Sequence, residues 1–163
     1  MKKNLLRQGL LLMGVLLALS GCGAAKDVAA TEAPTQVAEA QAAEGLTIPL
    51  SDLTDEPQFF DWDSNGTAMQ LIALKDADGS VQLAYNTCQV CAGSPYAYFE
   101  VENGRLICQN CGNAFPYSSV GKVAGGCNPM PVSEYAVTAD GVIVTAQLLA
   151  QNANAFQNWK GLE

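Results

Sequence analysis

The sequence predicts a small, mainly β domain, and three features predict it. Glycine-containing turns separate runs in which apolar and polar residues alternate, two Cys-x-x-Cys pairs stand at the ends of one of the resulting hairpins, and one helical segment lies near the C-terminus. Thr47–Leu50 reads as a first strand, and Phe59, Phe60 and Trp62 bring aromatic mass before an Asn65-Gly66 turn. AMQLIALKD and SVQLAYNT flank Ala77-Asp78-Gly79, a hairpin pattern whose second strand runs directly into Cys88. Tyr96–Val101 and Arg105–Cys108 flank Glu102-Asn103-Gly104, a further hairpin that returns the second cysteine pair toward the first. EYAVTADGVIVTAQ reads as a last strand pair around Asp140-Gly141, and LLAQNANAFQNW as a short helix.

Ahead of this domain the chain begins MKKNLLRQGLLLMGVLLALSGC, with a basic start at Lys2, Lys3 and Arg7 and an apolar run too short to span a bilayer comfortably. That is the pattern of an export signal. Leu19-Ser20-Gly21-Cys22 resembles the bacterial lipobox, which makes residues 1–21 a lipoprotein signal peptide and Cys22 the lipidated first residue of the mature chain. An ordinary signal peptide or an uncleaved anchor is the competing reading. Residues 22–45 form an Ala-, Thr- and Glu-rich tether without aromatic residues, too poor in apolar surface to offset the entropy of ordering it, although an alanine-rich helix is also compatible. Residues 46–163 then make one Cys-rich domain, a length whose limited core a metal or crosslink would reinforce. The expected location is the cell membrane, lipid-anchored on its extracytoplasmic side.

Composition excludes several classes of function. Of 8 basic residues against 16 acidic ones, three basic residues sit in the leader, so the mature chain is strongly acidic and a nucleic-acid partner is disfavoured. The chain has no histidine, hence no imidazole base, no Ser-His-Asp triad and no histidine ligand for zinc or haem. There is no glycine-rich phosphate loop. No catalytic residue is singled out, and a non-enzymatic metal-binding or redox protein fits better than an enzyme.

The chemistry therefore falls to sulfur. Cys88, Cys91, Cys108 and Cys111 give two C-x2-C pairs that a hairpin can bring to the corners of a tetrahedron, the arrangement shared by zinc-ribbon and rubredoxin-like knuckles. Gly112 follows the second pair as in a tight knuckle, whereas Ala92 precedes Gly93 at the first. Soft thiolates suit iron, iron-sulfur clusters or zinc. An oxidising compartment leaves two alternatives open, namely disulfides stapling Cys88 to Cys108 and Cys91 to Cys111, or a redox-active dithiol. Once Cys22 is lipidated, five cysteines remain and cannot all pair. The fifth, Cys127, lies in GKVAGGCNPMP between a flexible Gly125-Gly126 and a stiff Pro129/Pro131 exit, which suits a ligand or a resolving thiol as well as a buried structural cysteine. Met130 reads as core, with a thioether ligand to Cu(I) as the lesser alternative. Tyr85, Tyr96, Tyr98, Phe99, Phe115 and Tyr117 flank the cysteines in sequence, where they would shield a centre from water or simply pack. Asp61, Asp63, Asp76 and Asp78 stand beside turns, and turn chemistry is their default role.

The segments NTCQVC, ICQNCGNAFP and VGKVAGGCNPMP together resemble the FtrD-like family of membrane-associated iron-sulfur-containing proteins, over roughly Thr47–Val132 and most densely between Asp76 and Pro131. The resemblance implies that Cys88, Cys91, Cys108, Cys111 and Cys127 bind an iron-sulfur cluster or mononuclear iron. It also implies a role in electron transfer or iron uptake beside an iron permease or redox partner. The chain departs from the family pattern in carrying a lipobox and tether in place of transmembrane helices, and in Met130 where an aliphatic residue is usual. The competing reading is a structural zinc ribbon in a binding module without redox activity, or a thiol-disulfide protein.

Overall fold

A computed structural model describes residues 45–161. The described chain is mainly β, with ten strands in three small sheets and one short α-helix. Strands β2 (Gln58–Ser64), β3 (Thr67–Lys75) and β4 (Val81–Cys88) form an antiparallel meander, extended at its far edge by β8 (Pro129–Pro131). Asn65 and Gly66 both adopt positive φ, 54° and 86°, which is what a two-residue hairpin loop with matching twist requires. Asp63 caps that turn by accepting the Gly66 N–H at 2.8 Å. β1 (Leu46–Ile48), β10 (Val142–Val144) and β9 (Ala136–Val137) make a second sheet, and β5 (Phe99–Glu102), β6 (Arg105–Cys108) and β7 (Ala114–Phe115) a third. The β5–β6 turn repeats the Asn-Gly device, with Asn103 at φ 50° and Gly104 at 74°.

Period-two alternation along β3 and β4 splits the interior in two. Met69, Leu71, Ala73, Leu83 and Tyr85 face a core completed by Ile48, Val142, Val144, Leu149, Phe156 and Trp159. Ile72, Leu74, Ala84 and Cys88 face the other way, onto Ala97, Phe99, Leu106, Cys108 and Val120. The central sheet is therefore covered on both faces. The hairpin reading of β3–β4 holds, and the polar residues Gln82, Asn86 and Thr87 of β4 are themselves buried.

α1 (Ala146–Asn152) begins two residues ahead of the helical stretch read from sequence and passes at Ala153–Phe156 into a 3-10 turn. Thr145 caps it, its Oγ1 accepting the Leu148 N–H at 3.2 Å. β5 starts at Phe99 rather than Tyr96, because the preceding backbone is spent on the cysteine loop: the Cys88 N–H donates to the Ala97 carbonyl at 2.9 Å and the Gln109 N–H to that of Tyr98 at 2.8 Å. No described helix is long and apolar enough to cross a membrane, which says nothing of β-barrels.

Candidate metal centre

Three strand ends deliver the five described cysteines to one place. Cys88 closes β4 and Cys108 closes β6, and each is followed by a turn that carries the second cysteine of its pair. Cys88 pairs in register with Pro129 of β8, and that pairing brings the loop bearing Cys127 alongside the first knuckle. The sulfurs of Cys88, Cys91 and Cys108 lie within 4.8 Å of one another, as do those of Cys91, Cys111 and Cys127. Cys91 is common to both triads. The knuckle sulfurs and Cys127 thus gather as two overlapping triads, with Cys108 beside the first knuckle and Cys111 beside Cys91 and Cys127. All five are free thiols.

The knuckles are built to receive charged sulfur. The Cys91 N–H approaches Cys88 Sγ at 3.4 Å. Burial pushes the Cys88 thiol well above its ordinary range, against the pull of the Cys91 and Val90 N–H groups. At Cys108 burial raises the thiol to about 11, opposed by the Cys111 and Asn110 N–H groups. Cys111 is exposed, and the Asn113 N–H holds its thiol below the usual range. At Cys127 the Asn113 side chain pulls down, but the Cys111 sulfur and burial outweigh it and push the thiol up. The N–H groups aimed at sulfur would orient and stabilise thiolate charge once a soft cation offsets the cost of burying it. This donor set, all thiol and without carboxylate or imidazole, fits thiolate-bound iron or zinc and not magnesium or calcium.

Glycines make the turns possible. Gly112 has φ 71°, and its N–H donates to the Cys108 carbonyl at 2.8 Å; in the first knuckle Gly93 supplies the left-handed backbone, at φ 91°, a position further along as the offset glycine of that pair requires. Ser94 Oγ donates to Asn110 Oδ1 at 2.6 Å and ties the two knuckle loops together.

Of the aromatic residues flanking the cysteines in sequence, Phe99, Phe115 and Tyr117 join the cysteine-side core, with Phe99 and Phe115 edge to face at 5.8 Å. Tyr85, Tyr98 and Met130 pack on the opposite core, and Tyr96 is exposed. The aspartates serve turns and surface bonds: Asp78 accepts the Ser80 N–H at 2.9 Å, Asp61 the Gln70 amide at 2.6 Å, and Asp76 pairs with Lys122. Cys22 lies outside the described residues.

Two polar residues escaped the sequence reading. Asn86, 1% exposed, accepts the Phe99 N–H at 2.7 Å and donates to Gln70 Oε1 at 2.7 Å, locking β5 to β4. Gln89, inside the first knuckle, bonds to the Cys127 loop. The one signal for Gln89 was that both knuckles read Cys-Gln-x-Cys.

With this geometry in hand, comparison with known families is decisive. The model of the family described as membrane iron-sulfur containing protein, FtrD-like, matches residues 53–156. The chain belongs to the FtrD-like family. The match extends past Val132, where the resemblance of the cysteine segments ended, and takes in β9, β10 and α1, so most of both cores lies within the family's domain. No curated protein and no solved structure matches the chain. Membership associates the chain with membranes and with iron-sulfur chemistry.

Proposed function

We propose that Cys88, Cys91, Cys108, Cys111 and Cys127 hold an iron centre, an iron-sulfur cluster or mononuclear iron, in a protein that transfers electrons or assists iron uptake beside an iron permease. The observation that carries this is the pair of sulfur triads sharing Cys91, in a chain of an iron-sulfur family. Iron held by thiolates supplies one-electron chemistry. The chain's own residues bury Cys88 and Cys108 completely, aim knuckle N–H groups at their sulfurs, and leave Cys111 as the exposed edge.

The same proposal includes the anchor. Residues 1–21 are removed as a lipoprotein signal, Cys22 carries the lipid, residues 22–45 tether the domain, and residues 46–163 stand on the extracytoplasmic side of the cell membrane. Support comes from the lipobox-like Leu19-Ser20-Gly21-Cys22, and from a family that is membrane-associated.

The test is metal analysis with a visible spectrum on the full chain, extracted in detergent and purified without oxygen. Stoichiometric iron with thiolate charge-transfer bands that bleach on reduction is expected. Colourless stoichiometric zinc after iron-replete expression would replace this reading by a structural zinc ribbon, since zinc has no redox chemistry. Mass spectrometry of the same sample should find a diacylglyceryl-modified Cys22 at the N-terminus.

A further inference from the structure

Gln89 occupies the second position of the first knuckle, Cys88-Gln89-Val90-Cys91, and spends its whole side chain on another segment. Its Nε2 donates to the Val123 carbonyl at 3.1 Å and lies 3.3 Å from that of Pro129, and its Oε1 accepts the Gly125 N–H at 2.7 Å. Its backbone N–H adds a bond to the Asn128 carbonyl at 3.1 Å. These four contacts bracket Cys127 on both sides. The loop itself has little else to hold it: Lys122 to Gly126 are exposed, Gly125 and Gly126 both have positive φ, and Val123 is only partly covered. Its other ties include the Lys122–Asp76 pair and the Lys122 N–H to Ser119 carbonyl bond at its start, the Asn113 side chain at Cys127, an internal bond from Asn128 Nδ2 to the Gly125 carbonyl at 2.8 Å, and β8 at its end.

The second knuckle provides the contrast. Gln109 holds the equivalent place in Cys108-Gln109-Asn110-Cys111, yet its Nε2 donates to Glu102 Oε1 at 3.1 Å and to the Ile107 carbonyl at 3.2 Å, both on its own hairpin. Position within the knuckle therefore does not dictate the clamp. What differs is the partner.

We infer that Gln89 is the positioning residue for Cys127: its side chain clamps loop 123–129 so that the fifth thiol is delivered to the centre from outside the two knuckles. The inference rests on the reading of Cys127 as a member of that centre. It assigns the first knuckle two tasks, presenting Cys88 and Cys91 directly and Cys127 indirectly.

The experiment compares the full chain, anaerobically purified in detergent with the metal it takes up, with Gln89→Ala, Gln89→Glu and Gln109→Ala. The probe is iodoacetamide, and labelling of each cysteine is read by peptide mass spectrometry. In the wild type and Gln109→Ala, Cys127 should resist labelling until the metal is chelated. In Gln89→Ala it should label roughly tenfold faster with the metal still bound, because several hydrogen bonds holding the loop are gone. Gln89→Glu keeps the acceptor for Gly125 but offers the two carbonyls no donor, and should behave likewise. The visible spectra of both Gln89 variants should move in the direction of Cys127→Ser. Cys127 protection in Gln89→Ala equal to the wild type would overturn the inference while leaving the five-thiol centre standing. Rapid labelling of Cys127 in the loaded wild type would remove both the inference and Cys127 from the centre, leaving the four knuckle thiols. Amide exchange in the wild type reads the clamp without any variant: the exposed Gly125 N–H should be protected, and free exchange there would overturn it.

Discussion

Asn86 shows how much one buried amide can decide. Its side chain satisfies both the Phe99 N–H and the Gln70 amide oxygen, and its backbone carbonyl accepts the Trp159 indole N–H at 2.8 Å. Replacing it by alanine leaves the Phe99 N–H unpaired in the interior, at about 1–3 kcal/mol for an unpaired buried group, and takes a partner from the half-buried Gln70 amide. We expect Asn86→Ala to destabilise the domain by about 3 kcal/mol in denaturant unfolding, more than a surface change and comparable to a core truncation. Tyr85 makes a different kind of prediction. Burial pushes its hydroxyl up to about 12 from 10.0, against the opposing bond from Asn152. The folded state keeps a proton that the unfolded chain releases, so the protective effect is complete below pH 10.0 and lost as pH rises toward 12. At 1.36 kcal/mol per pH unit that is at most about 2.7 kcal/mol, reduced by whatever screening solvent supplies near the hydroxyl. Tyr85→Phe should cost about 1 kcal/mol at neutral pH for its lost hydrogen bonds and should lose stability less steeply across the alkaline range. Unfolding of both proteins at neutral and alkaline pH gives the comparison; parallel losses would place the alkaline sensitivity elsewhere, in the thiols first of all.

Among the elements, α1 has only seven residues and survives by packing Leu149 into the first core, since so short a helix is unstable alone. Its cap is correspondingly exposed to test: Thr145→Ala should cost about 1 kcal/mol, readable as a lowered melting temperature with unchanged cysteine chemistry. The hairpins were legible in the sequence because their information is local. Asn65-Gly66 and Asn103-Gly104 demand the backbone that they adopt, and Cys88 and Cys108 fall at strand ends as the hairpins around Ala77-Asp78-Gly79 and Asn103-Gly104 imply. β8 was not legible, because Pro129 and Pro131 lack the N–H that a strand reading requires, and they are tolerated only because β8 is an edge strand. Nor could any local pattern show that β1 pairs with β10, a contact between opposite ends of the domain. The candidate site divides in the same way. Its cysteines and their doubled spacing stand in the sequence, whereas the grouping into triads and the clamp by Gln89 depend on the β4–β8 pairing that the prolines concealed.

At the scale of the whole domain, the two cores lie back to back on one sheet but differ in what they depend on. The first contains no cysteine and closes with Leu149, Phe156 and Trp159, its last two rings edge to face at 5.4 Å. The second is smaller and includes Cys88 and Cys108 among its buried members. A bound metal therefore reinforces mainly one side, and binding free energy acts there as folding free energy, about 4 kcal/mol for free metal a thousandfold above its dissociation constant. Chelation should accordingly speed amide exchange in β5, β6 and β7 well before β3, β10 and α1 lose protection. Asn86 and the shared strands β3 and β4 set a limit to that independence, since they couple the halves through hydrogen bonds and backbone pairing. Hydrogen exchange followed by mass spectrometry on loaded and chelated protein decides between the two descriptions. Loss of protection confined to the cysteine hairpin identifies the first core as the scaffold on which the centre assembles; simultaneous loss across both sheets would mean that the metal holds the domain as one cooperative unit.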